Sequence, residues 1–532
     1  MHKRLGTLLT LAVAISVTVV VAAAPAGADP TPAPAPAPVG ATPGQSPNGP
    51  GAGLLPRLSH GVAVQALQTA HELLAPRSSA DGRRVLPFRD ATPALRDLWQ
   101  ARPSLHGADR RLADRLLTSP MSDTTHADRV SLAAASGCST STCVVESRHF
   151  DVVFTSNPLS ANRATTTYAV QVARTLEHVY ATEVGTLGYK HPLIDPSEPN
   201  HRIEIDLRDL RSQGLYGYCS PTGGSPTRHS PAYCVLDNDF VGYPSSPTKS
   251  LKVTAAHEFF HAIQYAYDTG EDKWLMEGTA VWMEDEVYNS INDYYQYLPV
   301  SPIRHPQWAL DFDGTYSVYG DFAFFKFLTR YLGSRKVVRQ IWQHADATHP
   351  GVYSLRAVRE VITQHHRNPR KVLAMFGAWN TLPRHTYPER SAYKPAHFWA
   401  TRTVTRSHPT GTLSVRLLHL SSAPLRLYPG KRLGSHRKVV VRVNAPRRAR
   451  GAAATYQVRF RDGRLKMGSF RLNKWGNGRH TYAFGHRQVA SVVIVLTNGS
   501  TRMHDCGDGY DYSCGGRGVD DNRSFAVKAR VA

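Results

Sequence analysis

The spacing of apolar residues changes character along the chain. Between residues 56 and 120, leucines recur at helical spacing among many Arg and Asp residues, which predicts amphipathic helices. Alternating apolar and polar positions predict strands at 149–155 and 202–208, and helical spacing returns at 166–187. Helical patterns dominate from 250 to about 380. After residue 400, short alternating runs of Val, Arg, Thr and Gly predict many strands.

This order of elements predicts an α+β protein with an all-β sandwich at its C-terminal end. The length of 532 residues is enough for three or four domains. We therefore divide the chain into five parts. They are a signal peptide (1–28), a Pro/Ala/Gly-rich disordered linker (29–55), a helical N-terminal region (56–144), a central domain (145–395) and the β-sandwich (400–532).

The N-terminus is typical of an exported protein. A short basic stretch at 1–4 precedes an uncharged apolar run at 8–24, and Ala26-Gly27-Ala28 fits a signal-peptidase site. An uncleaved membrane anchor is the alternative, since the apolar run is nearly long enough to span a bilayer. We expect a secreted, extracellular protein that has no membrane contact after signal cleavage. The region 56–144 is then either a removable prodomain or a leading subdomain, and the sequence leaves both open.

Composition excludes wholesale disorder, because 41% of residues are hydrophobic and only 20% are charged. The net charge is +22. Residues 401–460 contain thirteen Lys and Arg and no Asp or Glu. This basic region could bind anionic envelope polymers or simply be a solvated face. No nucleic-acid-binding motif is present, so no specific nucleic-acid partner is expected.

The six cysteines lie in three close pairs. In an exported protein such cysteines are typical of disulfides rather than metal ligands. Six cysteines allow fifteen pairing schemes. Small loops favour nearest-neighbour pairing, which would join Cys138 to Cys143, Cys219 to Cys234 and Cys506 to Cys514.

The sequence His257-Glu258-Phe259-Phe260-His261 is an HExxH motif within a predicted buried helix. The i, i+4 spacing places both imidazoles on one helix face, where both could bind one Zn²⁺. Glu258 would lie beside the open position of the ion and accept a proton from bound water. The alternative is a structural pair of core histidines.

Two protein histidines need a third ligand, and a second predicted helix supplies acidic candidates. Glu277 lies in its first turn, and Glu284 lies two turns further on the same face. Gly278 and Ala280 are small and would let the two helices approach closely. We assign Glu277 to the metal, and Glu284 to a hydrogen bond with a ligand histidine from outside the coordination sphere.

These motifs carry a resemblance to a known group of enzymes. HExxH followed by Glu277-Gly278-x-Ala280-x-x-x-Glu284 resembles the gluzincin zinc metallopeptidases. The stretch from about 150 to 380 is most similar to a family of secreted bacterial metalloproteases with the patterns HExxHxxQ and WxxEGxA. The resemblance implies a zincin-like fold for the central domain, His257, His261 and Glu277 as zinc ligands, and Glu258 as general base. In gluzincins a strand corresponding to 202–208 pairs with extended substrate.

The implied activity is hydrolysis of a protein or peptide substrate by metal-activated water. Tyr319 is a candidate donor to the oxyanion, and packing beneath a helix is its alternative role. Calcium is a second candidate ion, at Asp237-Asn238-Asp239 or at Asp505, Asp508 and Asp511, although turns favour these residues as well. Two other functions stay open. One is an envelope-binding or adhesion protein with an inactive HExxH site, and the other is a zinc hydrolase of non-protein amides.

Overall fold

The computed structural model describes residues 55, 57–75, 89–121, 127–132, 138, 140–198, 200–223, 225–314, 316–389 and 391–532. The predicted signal peptide and nearly all of the predicted linker lie outside these residues. The described elements include helices and several sheets, so the α+β class is confirmed. None of the described helices is both long enough and apolar enough to cross a bilayer.

A seven-stranded mixed sheet with flanking helices forms the first half of the described chain. Its elements, in chain order, are α1 (His60–Leu74), β1 (Arg89–Asp90), α2 (Thr92–Ala101), α3 (Gly107–Leu117), β2 (Asp128–Ser131), β3 (Thr142–Glu146), β4 (Phe150–Thr155), α4 (Thr166–Tyr180), β5 (Ile203–Arg208), β6 (Leu215–Pro221) and β7 (Ala232–Asp237). The strand order is β1-β6-β7-β5-β4-β3-β2. The helix and strands predicted at 166–187, 149–155 and 202–208 are present, and the end of the predicted helix is a π-helical turn at Ala181–Thr186.

In the described residues between 238 and 389, helices then follow without interruption by strands. They are α5 (Pro247–Tyr265), α6 (Lys273–Val287), α7 (Ser317–Gly320), α8 (Phe322–Leu332), α9 (Lys336–His344), α10 (Ser354–Gln364), α11 (Pro369–Asn380) and α12 (Pro383–Thr386). Helix α5 begins at a proline, which is favoured at the first helical position because its missing N–H would have no helical partner there. Helix α5 packs on β6 and β7, and α6 packs on α5 and α8. Both α5 and α6 are therefore buried along nearly their whole length.

The last part of the chain consists of strands, as predicted. They are β8 (Ala400–Val404), β9 (Thr412–Leu417), β10 (Ser421–Pro429), β11 (Lys438–Asn444), β12 (Ala452–Phe460), β13 (Leu465–Ser469), β14 (Asn477–Ala483), β15 (Val489–Asn498), β16 (Met503–His504), β17 (Arg517–Gly518) and β18 (Arg523–Val531). A five-stranded sheet has the order β13-β12-β15-β10-β8, and a four-stranded sheet has the order β14-β11-β18-β9. Buried side chains from both sheets form one apolar cluster.

The buried apolar residues form three separate clusters. The largest joins the inner face of the seven-stranded sheet to α4–α6 and the later helices. A second lies between the C-terminal sheets. The third joins α1–α3 to the other face of β6 and β7, where Leu215, Tyr218 and Val235 are buried against these helices. The apolar residues of α1–α3 therefore pack on the outer face of the sheet in a cluster separate from the main core.

Three disulfides join the nearest-neighbour cysteine pairs, as predicted: Cys138–Cys143, Cys219–Cys234 and Cys506–Cys514. The second disulfide joins opposed residues of β6 and β7. The loop closed by the third reaches the start of α6, where Cys514 N donates to Asp272 Oδ1 at 2.7 Å. The C-terminal strands and the helical region are thus joined by direct polar contacts.

Candidate metal centre

Helix α5 presents two buried histidines on one face. His257 and His261 are one turn apart, and their ring centroids are 4.9 Å apart. The side chain of His261 is fully buried and that of His257 is 7% exposed. The spacing predicted from the sequence therefore brings both imidazoles to one place inside the protein.

The Nδ1 atom of each ring has a hydrogen-bond partner. His257 Nδ1 lies 2.8 Å from Glu284 Oε1, and His261 Nδ1 lies 2.7 Å from Gln264 Oε1. The amide of Gln264 is oriented by its own donation to Met276 O at 2.9 Å. When Nδ1 donates to such an oxygen, the neutral ring has its lone pair on Nε2. Both rings are thus oriented with Nε2 available as a ligand atom.

The position predicted for Glu284 is the one observed, whereas the role of Gln264 was not foreseen. The apolar and polar pattern predicts Gln264 on the same face of the helix as His257 and His261, within the HExxHxxQ pattern, but predicts no contact for it. Its spacing, three residues after His261, places it beside that ring on α5. This spacing is the signal from which its contact could have been predicted.

Helix α6 brings Glu277 to the same point. Glu277 Oε2 lies 3.4 Å from His257 Nε2, and Oε1 lies 3.6 Å from His261 Nε2. Gly278, next to Glu277, is predicted to let α6 approach α5, but its position serves a different contact. A Cβ on Gly278 would lie 2.9 Å from the ring of Phe325 in α8, so Gly278 permits close approach to α8 rather than to α5.

A fourth residue, Asp90, enters the centre from β1 and was missed by the sequence analysis. Asp90 Oδ2 lies 2.9 Å from His261 Nε2 and 3.8 Å from His257 Nε2. One ligand atom from each of Asp90, His257, His261 and Glu277 can be chosen so that all lie within 4.8 Å of one another. The aspartate is more than 160 residues from the motif, and no spacing rule links it to α5.

The arrangement fits a metal ion on the evidence of its unpaired polar atoms. Five buried atoms, Asp90 Oδ2, His257 Nε2, His261 Nε2, Glu277 Oε1 and Glu277 Oε2, make no hydrogen bond of acceptable geometry with any described residue. A buried polar atom without a partner costs roughly 1–3 kcal/mol. Two imidazole nitrogens and carboxylate oxygens are ligands that Zn²⁺ accepts. Coordination of one cation would satisfy all four residues together.

Glu258 lies beside this group, in contact with the start of α2 and with strand β6. Its carboxylate accepts a hydrogen bond from Thr92 Oγ1 at 3.3 Å. A Cβ on Gly217 of β6 would lie 2.8 Å from Glu258 Oε1, so only glycine leaves room for the carboxylate at this point. The carboxylate predicted to act as a base therefore lies between the strand β6 and the metal ligands.

Tyr319 also reaches the centre, as its predicted role requires. Its hydroxyl oxygen accepts from the backbone amide of Asp90 at 3.4 Å, and its ring stacks on Tyr297. The two tyrosines, Asp90, His257 and Glu258 line a small cavity. Its volume of about 20 Å³ has room for one water molecule.

The electrostatics of the centre favour a positive charge at His257. Burial alone would lower the pKa of His257, but the carboxylates of Asp90, Glu277 and Glu284 outweigh it and raise that pKa well above its usual range. Burial and the charge of Asp90 raise the pKa of Glu258 well above its usual range. Burial raises the pKa of Glu284 to about 7. A proton or a metal cation can supply the charge that these carboxylates favour.

The strand that borders the metal centre is β6, and not the strand predicted at 202–208 by analogy with gluzincins. Strand β5, at 203–208, pairs with β4 on one side and β7 on the other, so it has no free edge. Strand β6 borders the centre instead, pairing with β7 on one side and with the two-residue β1 on the other.

The two calcium candidates have other partners in the structure. The carboxylate of Asp237 accepts from the backbone amides of Leu210 and Phe240 and from the hydroxyl of Tyr243. Asp505 forms an ion pair with Arg517 at 2.6 Å. Calcium binding therefore stays a prediction that these contacts do not support.

Comparisons with known proteins identify no family. No protein-family model and no curated protein matches the chain. Among solved structures, a family GH115 4-O-methyl-α-glucuronidase with specificity for decorated arabinogalactans is similar at 8% identity and a TM-score of 0.14. The match covers 65% of this chain and 53% of the glucuronidase, so the chain spans about half of that protein. A TM-score this low carries no argument about fold or function.

Proposed function

We propose that this chain is a secreted zinc-dependent metallopeptidase of the gluzincin type, which hydrolyses protein or peptide substrates. The observation that carries the proposal is the group of buried, unpaired ligand atoms of His257, His261 and Glu277 next to Glu258. In this proposal residues 145–395 form a zincin-like catalytic domain and residues 400–532 form a β-sandwich.

The donor set supports zinc, and the neighbouring residues support hydrolysis. Zinc bound here would lower the pKa of a coordinated water and polarise the scissile carbonyl. Glu258 would accept the proton of that water and pass it to the leaving amine. Glu284 and Gln264 would hold the two ligand rings in orientation. Tyr319 would donate a hydrogen bond from its hydroxyl to the developing oxyanion and keep its proton.

Metal content and hydrolysis test the proposal. The exported protein should contain one zinc per chain by elemental analysis and should hydrolyse casein, and 1,10-phenanthroline should abolish hydrolysis. Asp90 and Thr92 of the N-terminal region contact His261 and Glu258. The assay is therefore run both with that region intact and after limited trypsin digestion, which is stopped with trypsin inhibitor. The trypsin-inhibitor mixture alone is the blank.

A panel of further substrates separates the alternatives. Zinc-containing protein that hydrolyses peptidoglycan or small amides but not casein would favour a hydrolase of non-protein amides. Zinc-free protein that binds anionic envelope polymers would favour an envelope-binding function of the basic C-terminal strands. Either result would contradict the metallopeptidase proposal.

A further inference from the structure

The N-terminal region reaches the candidate metal centre through one short segment. Strand β1 lies parallel to β6, with Arg89 opposite Leu215 and Asp90 opposite Gly217. Helix α2 begins two residues later, at Thr92. This turn from strand to helix places Asp90 and Thr92 over the ligands, where no other described segment of the N-terminal region contributes a ligand atom.

Asp90 and Thr92 contact three residues with an assigned part in hydrolysis. The carboxylate of Asp90 lies 2.9 Å from His261 Nε2, and its backbone amide donates to the hydroxyl of Tyr319. Thr92 Oγ1 donates to Glu258 and also accepts from the backbone amide of Cys219 at 2.7 Å. The segment therefore engages a ligand histidine, the base and the oxyanion donor at once.

The ligand count separates an open centre from a closed one. A catalytic zinc has three protein ligands and leaves its fourth position to water or substrate, whereas four protein ligands close the site. His257, His261 and Glu277 supply three ligands, and Asp90 would be the fourth. Strand β1 also pairs with the edge of β6 that an extended substrate would need.

We propose that the segment Arg89–Ala101 is an inhibitory latch, in which Asp90 closes the metal centre, and that activity requires its displacement. This inference rests on the proposed function, because it describes the regulation of the same site. The full chain is then a latent precursor, and residues 57–117 behave as a removable prosegment. The apolar residues of α1–α3 form a cluster with the outer face of β6 and β7 that is separate from the main core, while Arg96 and Gln100 of α2 also donate to the loop before α6.

The test compares Asp90→Asn with Asp109→Asn in the full chain. Asp109 lies in the first turn of α3, in the same region but away from the centre. Both variants should keep one zinc per chain. Asp90→Asn should bind a fluorescent hydroxamate about tenfold more tightly or better than wild type, because it loses an internal competitor held at high effective concentration. Asp109→Asn should match wild type.

Three results would overturn the latch: equal hydroxamate affinity in Asp90→Asn and wild type, loss of zinc from Asp90→Asn, or failure of wild type to bind zinc. Loss of zinc from the variant alone would mean that Asp90 belongs to a closed structural site. Failure of wild type to bind zinc would overturn the proposed function as well.

Casein hydrolysis then separates the latch from the proposed function. Activity that rises about tenfold or more in Asp90→Asn supports both. Tighter hydroxamate binding without hydrolysis of casein, before or after trypsin, supports the latch and contradicts the peptidase. Casein hydrolysis by untreated wild type at the rate of Asp90→Asn supports the peptidase and overturns the latch.

A measurement on wild type alone keeps the proposal testable if Asp90→Asn does not fold. In cobalt-substituted wild type, acetohydroxamate should leave the visible spectrum unchanged until limited trypsin digestion releases the N-terminal region. A spectral change before digestion, at the concentration that saturates the digested protein, would overturn the latch.

Discussion

Two clusters of buried histidine and carboxylate lie in different parts of this molecule and are satisfied in different ways. In the candidate metal centre, two imidazoles and two carboxylates converge on one point. In the other cluster a single imidazole, His419, lies between two carboxylates, with Nε2 2.8 Å from Asp311 and Nδ1 2.7 Å from Asp521. We call this second group the His419 cluster. His419 lies in the loop before β10, Asp311 lies between α6 and α7, and Asp521 lies just before β18.

The difference shows that burial of histidine with acid does not by itself indicate a metal. His419 Nε2 and Asp311 Oδ1 also make no hydrogen bond of acceptable geometry. One proton on this single ring nevertheless places a positive charge between two carboxylates that lie 2.8 and 2.7 Å from its nitrogens. In the metal centre the Nδ1 atoms have their own partners, and both Nε2 atoms lie within 4 Å of the carboxylates of Asp90 and Glu277. One proton cannot satisfy that arrangement, whereas one divalent cation can.

The largest expected effect is loss of zinc from the first cluster and not from the second. His257→Ala or His261→Ala should abolish zinc binding and casein hydrolysis, because only one ligand histidine is left. His419→Gln and His71→Ala should keep one zinc per chain; His71 belongs to an exposed His-Glu pair on α1 that lacks the second histidine. Elemental analysis of the four purified variants checks this. Zinc retained in both motif variants would place the metal elsewhere.

Glu258→Gln tests whether zinc binding in the metal centre can be separated from catalysis. Glutamine has nearly the same size but cannot accept the proton, so zinc content should be unchanged. Casein hydrolysis by the trypsin-treated protein should fall by about 10²–10⁴-fold, the usual contribution of general base catalysis. Glu360→Gln, in a surface ion pair with Arg356 on α10 and outside the N-terminal region, is the matched control and should keep full activity. More than a few per cent residual activity in Glu258→Gln would exclude it as the base.

The roles of Glu277 and Glu284 can be separated by zinc affinity. Glu277→Ala removes a ligand and should abolish zinc binding, whereas Glu284→Ala removes only the partner of His257 Nδ1 and should weaken affinity by roughly 10–100-fold. Gln264→Ala should behave like Glu284→Ala, because Gln264 holds the other ring in the same way. Competition titration with a chromophoric chelator measures all three. If zinc survives in Glu277→Ala and is lost from Glu284→Ala, the two roles are reversed.

Much of the fold was predictable because its signals are local. The strands at 150–155 and 203–208 follow from alternation, and α4 follows from helical spacing. Strand β1 has two residues and carries no such pattern. Its pairing with β6 depends on where the N-terminal helices pack, which is a tertiary contact that periodicity does not encode.

The candidate site divides along the same line. His257, Glu258 and His261 share one helix turn, and Glu277 and Glu284 share a face of the next helix, so their positions could be predicted from spacing. Asp90 could not, because its place depends on β1. The close approach of Gly217 to Glu258 was equally hidden, since it requires knowledge of which strand lies over α5.

The comparison also predicts a pH dependence of stability that belongs to the His419 cluster and not to the metal centre. Burial lowers the pKa of His419, but the charges of Asp311 and Asp521 outweigh it and raise the pKa to about 10, against 6.5 for an unperturbed histidine. The facing Tyr512 stays neutral over this range, because burial raises its pKa to about 12. A group whose pKa is higher in the folded state stabilises fully below its unfolded pKa and loses that contribution as pH rises through the folded value.

The free energy of unfolding of wild type relative to His419→Gln should therefore be largest below pH 6.5. That difference should shrink, by on the order of 3 kcal/mol, between pH 6.5 and about 10. Urea unfolding of both proteins at pH 6, 8 and 10 measures it. Taking the difference between the two proteins removes the titration of lysines and tyrosines elsewhere. A difference that is constant with pH would mean that His419 is neutral in the folded protein, and the contrast between a protonated and a metal-binding cluster would fail.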